Sequence, residues 1–336
     1  MLVTCAGILV VDLIAADLPK IANPGELVFA PTGIEIHLGG HSGNVSIDLR
    51  KLGLKEGDVS SIGAIGNDIF GDFTEETLKK HEVIAHLQRV PNVGTSKDLI
   101  LVVRGEDRRY HVDNGANQFL SPNHVLSVVK REKPVVFYAG GVGFTTALDG
   151  QLPEILREVK DFGALTFVDP VAPYVHGWDF LIPAMKWTDI FHCNMDEARQ
   201  ITGENNPYKA CEIFINMGTS MAIISLGDKG LIAKTRRNMF KMPAFKVPVI
   251  DPTGAGDALC TGIISGFLQR SGYKPCDITN FSTDDIIEML LIGEAAGAAC
   301  VTMVGTTTAV TKDNVERILE EQGEELKRSI KVFSTI

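Results

Sequence analysis

Residues 251–257 read Asp-Pro-Thr-Gly-Ala-Gly-Asp and run straight into the apolar stretch Ala258-Leu-Cys-Thr-Gly-Ile-Ile-Ser-Gly-Phe-Leu268. Two acids bracket a turn of small residues that opens a helix. The turn gathers backbone N–H groups of Gly254, Ala255, Gly256 and Asp257 at the positive end of a helix dipole. Such a point holds a phosphoryl group whose charge grows during transfer. Asp257 lies in the first turn, where its carboxylate can take a proton from a hydroxyl. A donor cluster beside a base is the minimum apparatus for moving phosphate onto an alcohol. An ordinary loop-to-helix junction with a dipole-complementing Asp has the same letters, so the remainder of the chain decides.

Outward from this stretch, apolar strand-like runs alternate with helical patterns. The runs are Leu2–Val11, Val59–Ile65, Pro134–Tyr138, Ala164–Val168, Asp189–His192 and Met221–Ser225. Between and after them, Gly43–Leu52, Phe70–Lys80, Leu152–Lys160, Met195–Thr202, Ala258–Arg270, Thr283–Cys300 and Asn314–Ser329 carry helical spacing. This alternation predicts an α/β fold with a mostly parallel central sheet flanked by helices on both faces. Two stretches break the rhythm. Residues 13–38 carry Pro19, Pro24, Gly25, Pro31 and Gly33, and residues 93–118 read as a hairpin, Leu99–Val103 and Arg108–Val112 around Gly105-Glu106-Asp107. Together they are expected to form a small β-sheet lid on a single domain spanning 1–336, closing over a cleft.

The chain has 336 residues, 45% of them hydrophobic, and a net charge of −10. That charge argues against a nucleic-acid or anionic-membrane surface, since no basic patch offsets it. Cys5, Cys193, Cys211, Cys260, Cys276 and Cys300 form no C-x-x-C pair, which suits reduced thiols in the cytoplasm and no zinc motif. Leu2–Val11 lacks a basic leader and reads as a first strand, and no stretch has transmembrane length free of charge.

Three further motifs bear on chemistry. Gly39-Gly40-His41-Ser42-Gly43-Asn44 opens a helix; paired glycines let backbone approach a ligand, and Asn44 offers hydroxyls both a donor and an acceptor. Asn194-Met-Asp-Glu197 follows a strand end, where open α/β sheets bind ligands. The Asn194/Glu197 oxygens sit on one helix face and suit water-mediated Mg2+ and phosphate contacts. Ser225-Leu-Gly227-Asp-Lys-Gly230 is a strand-to-turn step that admits a nucleotide near the backbone. No Walker A pattern occurs, and Gly141-Val-Gly143 lacks the third glycine of a dinucleotide fingerprint.

In order and spacing, these motifs resemble the ribokinase family, also called the PfkB sugar-kinase family, over nearly the whole length. Gly39–Asn44 matches GG-x-x-x-N. Val59–Gly71, with Gly63, Gly66, Asp68 and Gly71, matches V-G-x-x-G-x-D-x-x-G. Asn194–Glu197 matches N-x-x-E, and Asp251–Asp257 matches D-T-x-G-A-G-D with Pro252 inserted. The resemblance implies a three-layer ribokinase-like fold and an ATP-dependent kinase acting on an alcohol group of a sugar. Asp257 would be the base, and Gly254, Ala255 and Gly256 the anion hole. Asn194, Ser225, Gly227 and Gly230 would serve the nucleotide, and Glu197 would hold Mg2+ through water. Asp12, at the end of the first strand, would bind the acceptor with Gly40 and Asn44. Gly297–Thr307 looks like the segment near the nucleotide and a monovalent cation, K+ in relatives. A homodimer through the lid is also implied.

The chain departs from the family in two places. Asp169-Pro-Val-Ala-Pro-Tyr174 keeps the Asp of D-x-N-x-R and loses the Asn and Arg, and His41 stands where phosphofructokinase-like members carry Lys. A nucleoside kinase, with Phe29, Ile36, Tyr110 or Phe119 as base slot, a phosphosugar kinase using Arg108 or Arg109, and a non-catalytic nucleotide- or sugar-binding regulator are the alternatives. The two arginines are read first as a solvated strand edge.

Overall fold

The computed structural model describes residues 1–106 and 108–334. Asp107, the last residue of the expected hairpin turn, lies outside the described residues. In chain order the elements are β1 (Val3–Gly7), β2 (Val10–Leu18), β3 (Glu35–Gly39), α1 (His41–Lys51), β4 (Val59–Gly66), α2 (Ile69–Lys80), β5 (Ile84–Val90), β6 (Lys97–Val103) and β7 (Arg109–Asp113). Then come α3 (Pro122–Glu132), β8 (Val136–Val142), α4 (Thr146–Asp149), α5 (Leu152–Asp161), β9 (Leu165–Pro170), α6 (Ile182–Met185), β10 (Ile190–Asn194), α7 (Met195–Thr202) and α8 (Pro207–Met217). The chain closes with β11 (Met221–Ser225), β12 (Leu231–Thr235), β13 (Asn238–Met242), α9 (Ala255–Arg270), α10 (Thr283–Cys300), α11 (Lys312–Ser329) and β14 (Lys331–Ser334).

The large sheet has strand order β14-β13-β12-β11-β10-β9-β8-β1-β4-β5. From β5 to β11 every pairing is parallel; β12, β13 and β14 extend the sheet antiparallel. The central strands β1, β4 and β8 are buried along their whole length, as strands covered on both faces must be. One apolar cluster joins one face of the sheet to α1, α9, α10 and α11; the other joins the opposite face to α3, α5, α7 and α8. Helix α5 illustrates the local logic. It buries Leu152, Ile155, Leu156 and Val159, one stripe at helical spacing. No described helix is long and apolar enough to cross a membrane.

The expected first strand, Leu2–Val11, is two strands. Main-sheet β1 ends at Gly7, and the chain re-forms as β2 in a separate sheet of order β3-β2-β6-β7. The break has a steric cause. Gly7 has φ +149°, and a Cβ there would lie 1.8 Å from the Gly140 carbonyl oxygen on β8. Beyond it, the side-chain amide of Asn117 accepts from the Leu9 N–H at 3.1 Å and donates to the Leu9 carbonyl at 3.0 Å. Both polar groups are thus satisfied where the chain belongs to neither ladder. One consequence is that Asp12 sits on β2 of the small sheet, not at the end of the first strand.

At the amino ends of the parallel strands, Glu132 at the end of α3 fastens three of them. Its carboxylate accepts from Thr4 Oγ1 at 2.8 Å and Ser60 Oγ at 2.7 Å, and lies 2.6 Å from His86 Nε2. Burial alone would push its pKa up; the bonds from His86, Ser60 and Thr4 outweigh it and hold the carboxyl below its ordinary value of 4.5. A carboxyl depressed on folding stabilises the fold above its unfolded-state pKa and loses that contribution as pH falls through the folded value. Glu132→Gln should cost about 1–3 kcal/mol at neutral pH. In urea titrations the gap from the parent should narrow steadily below pH 4.5; a gap independent of pH contradicts the assignment.

Candidate active site

The chain runs from β1 outward to β4 and β5 on one side, and through β8, β9, β10 and β11 on the other. The order therefore reverses beside β1, and the crevice at the carboxyl ends of these strands is where such sheets take ligands. Here lies a cleft of about 530 Å³. Its floor carries Asp169 at the end of β9, His192 and Asn194 on β10, and Ser225 ending β11; its far wall is the small sheet, with Val10, Asp12, Asp98, Ile100, Tyr110 and Val112. A shallower depression of about 300 Å³ adjoins it, lined by Asn194, Ser225, Gly227 and Lys229 among others.

The 251–257 segment forms one rim. Gly254, with φ +80°, is the N-cap of α9; a Cβ there would lie 2.8 Å from Thr306 Cβ, so the loop packs against 297–307 only as glycine. Among the described residues, the N–H groups of Gly254, Gly256 and Asp257 meet no acceptor, and that of Ala255 only Pro252 O at 3.4 Å. Asp257 is buried in the first turn. One oxygen accepts from the Asn44 amide at 2.7 Å, and the other, Oδ1, has no hydrogen-bond partner. Thr306 Oγ1 donates to Asn44 Oδ1 at 2.7 Å, so α1, α9 and the loop after α10 meet in one chain of bonds. Burial raises the Asp257 pKa above the usual range; Asp169 adds to this, while His41 and the Asn44 bond pull the other way.

Around it lies a second group. His192 Nδ1 is 2.9 Å from Asp169 Oδ1 and its Nε2 3.2 Å from Ser225 Oγ; the Tyr138 hydroxyl donates to Asp169 Oδ2 at 2.8 Å. Burial alone would raise the Asp169 pKa, but His192 and then His41 bring it below normal. The His192 ring also faces the 251–257 loop, its Cε1 3.4 Å from where a Gly256 Cβ would stand. On the far wall of the cleft, Asp12 and Asp98 are cross-strand neighbours. Burial first, then the charges of Asp98, Asp257 and Asp251, push Asp12 up to about 8.

The expected residues distribute as follows. Asp12, Gly40, Asn44, Asn194, Glu197, Ser225, Gly254, Gly256 and Asp257 all line the cleft, and Gly227 the adjoining depression. Gly230 lines neither; a Cβ there would meet Met242 O at 2.1 Å, so it serves the β11–β12 turn. Asn194 is the N-cap of α7 and not a helix-face partner of Glu197: Asn194 Oδ1 accepts from the Glu197 N–H and Glu197 Oε2 from the Asn194 N–H, both at 2.9 Å, a capping box. Arg108 is not a solvated edge. It lines the cleft, its Nη1 donating to Thr253 Oγ1 at 2.6 Å and lying 3.5 Å from Asp251, so the segment leading into β7 touches the 251–257 loop. Its neighbour Arg109 pairs with Glu106 at the surface. Of the aromatic-slot candidates only Tyr110 faces the cleft; Phe144 joins it there, and Phe29, Ile36 and Phe119 do not. His192 carried one sequence signal, a polar residue two before Asn194 on a strand end. Thr306→Val keeps the shape but leaves buried Asn44 Oδ1 unpaired. It should lower unfolding stability by about 1–3 kcal/mol, read from the urea midpoint.

Known proteins are similar to this chain in sequence and in fold. The family model described as pfkB family carbohydrate kinase matches residues 1–313. The ATP-dependent 6-phosphofructokinase of Thermoanaerobacterium thermosaccharolyticum is 24% identical over 70% of this chain and 74% of its own. The ribokinase of Haemophilus influenzae is 24% identical over 90% of this chain and 94% of its own. Among solved structures, an E. coli protein described as a ribokinase II in complex with ATP and Mg2+ superposes with a TM-score of 0.75 at 20% identity, covering 95% of this chain and 99% of that one.

Proposed function

Because the chain belongs to the pfkB family of carbohydrate kinases, we propose that it moves the γ-phosphate of ATP onto a hydroxyl of a neutral sugar, with Asp257 as the base. The observation that carries this reading is the unpartnered Asp257 Oδ1, buried at the cleft beside N–H groups that have no acceptor. A hydroxyl placed between Asp12 and Asp257 gives its proton to Oδ1 as it attacks, and Asn44 holds the other carboxylate oxygen in place. The transferring phosphoryl group lies on the N–H groups of residues 254–257, whose dipoles meet its growing charge without reorganising. The nucleotide occupies the depression beside Asn194, Ser225 and Gly227.

The residues fit a hydrated Mg2+: Glu197 faces the cleft, and only its Oε2 is used in the capping box. When bound, that ion would neutralise phosphate charge and align the leaving group. The small sheet is the lid over the acceptor, with Arg108 linking it to the anion loop. Its closure excludes water that would otherwise consume ATP.

A neutral acceptor is favoured by the wall itself. Asp12 and Asp98 are cross-strand neighbours, and burial raises the pKa of both. Such a pair bonds hydroxyls as donor and acceptor and offers a second phosphate no cation. Arg108 is directed at Thr253 and Asp251, and Arg109 lies at the surface. A nucleoside acceptor is the second reading, supported by the Tyr110 and Phe144 rings in the cleft.

Asp257→Asn should cut turnover by roughly two to four orders of magnitude while sparing nucleotide affinity, measured by ADP release and by ATP titration. Turnover at the parental rate would remove the base. Asp12→Asn should raise the acceptor KM by roughly 10- to 100-fold, the cost of a lost or mismatched hydrogen bond at a buried site, with the ATP KM unchanged. Those assays, run across free sugars, nucleosides and phosphosugars, test the acceptor class; faster turnover of a phosphosugar than of its unphosphorylated parent contradicts the reading.

A further inference from the structure

His41 opens α1, and its Nε2 lies 3.8 Å from Asp257 Oδ1 and 4.0 Å from Asp169 Oδ2. All three atoms fall within 4.8 Å of one another. These separations are too long for hydrogen bonds. Asp257 is only 8% exposed and its Oδ1 has no hydrogen-bond partner among the described residues, so a buried carboxylate oxygen borders a gap shared with an imidazole nitrogen and a second carboxylate. The gap opens on the cleft, where all three residues contribute to the lining.

We propose that His41, Asp169 and Asp257 form a binding site for a transition-metal dication of the zinc class, distinct from the hydrated Mg2+ that Glu197 serves. Ligand atoms about 2.0–2.2 Å from a shared tetrahedral ion stand about 3.3–3.6 Å apart, so the two His41 separations, 3.8 and 4.0 Å, need to close by roughly half an ångström and the Asp169–Asp257 one, within 4.8 Å, by at most about 1.5 Å. Three protein ligands with a fourth position open to solvent is the pattern of exchangeable zinc sites. Charge also balances: two carboxylates, a neutral imidazole and a dication sum to zero, which removes the cost of two buried acids. The outer partners are in place. Asn44 holds the far oxygen of Asp257, His192 that of Asp169, and Tyr138 supports Asp169 Oδ2. The Cys260 thiol, a weak donor 3.3 Å from that oxygen, is the contact that yields. Imidazole nitrogen selects Zn2+, Co2+ or Ni2+ over Mg2+. An ion seated there occupies Oδ1 and stops phosphoryl transfer; the inhibition, though not the binding, rests on the base assigned above.

The test is calorimetric titration of metal-free, nucleotide-free protein with Zn2+ under excess Mg2+, paired with the absorption spectrum of the Co2+ form. One ion per chain should bind, with nitrogen–oxygen ligand-field bands and no thiolate-to-cobalt charge transfer. His41→Ala and His41→Gln, each checked for native circular dichroism, should weaken binding at least about tenfold, while Cys260→Ala keeps it. Unchanged affinity in both His41 variants overturns the site. So does a thiolate band, which moves the ion to Asp169, His192 and Cys260, and so does the absence of Zn2+ binding under Mg2+. Binding without inhibition leaves the site standing and counts against Asp257 as the base.

Discussion

The hydrogen bond from the Asn44 amide to Asp257, 2.7 Å long, joins residues 213 positions apart, and the site is organised around it. A carboxylate taken from water with no partner costs several kcal/mol, and one with every oxygen satisfied does no chemistry. Here the cost is met on one oxygen only. The Asn44 carbonyl is itself held by Thr306, so the amide has one orientation and its N–H always faces the acid. Helix α1, helix α9 and the loop after α10 therefore share one register, fixed by polar atoms inside an otherwise apolar interface.

The same geometry explains why this site sits at the reversal of strand order. Strands β8, β9 and β10 end side by side, and each contributes what its last residues carry: Gly140–Val142, Asp169, then His192 and Asn194. Small residues on β8 leave room for the His41 side chain above. On the far side, β2 continues β1 with only Ile8 and Leu9 between, which brings Asp12 across the cleft from Asp257. One crossing point thus sets the distance between the two sheets.

Much of this was legible in the sequence, because strands buried on both faces read as continuous apolar runs and amphipathic helices as periodic ones. The expected helices at 152–160, 195–202 and 283–300 fall on α5, α7 and α10. What was not legible depended on distant partners. Within Leu2–Val11 only the glycine at 7 hints at a break; the carbonyl it makes room for is on β8, more than a hundred residues away. Arg108 and Arg109 are adjacent letters, and what sets them apart is distant or local partners, Thr253 and Asp251 for one and Glu106 for the other. Strand β5 is half exposed at the sheet edge, so it lacks an apolar run to announce it. His192 gains its setting from Asp169, Ser225 and Gly256, three separate segments, and alone it is one polar residue in a buried strand.

The raised pKa values of Asp12, Glu197 and Asp257 share a leading cause, burial of a group that prefers water. Each is a debit against the folded state, offset in part for Glu197 and Asp257 by the bonds from Asn194 and Asn44. On the roles proposed above, a duplicated copy of this chain freed from the need for turnover would drift toward amides and alkyl groups at these three positions. It would become the hardier protein as it fell silent, and a relative with an intact core and a neutralised cleft would be the fossil of an enzyme.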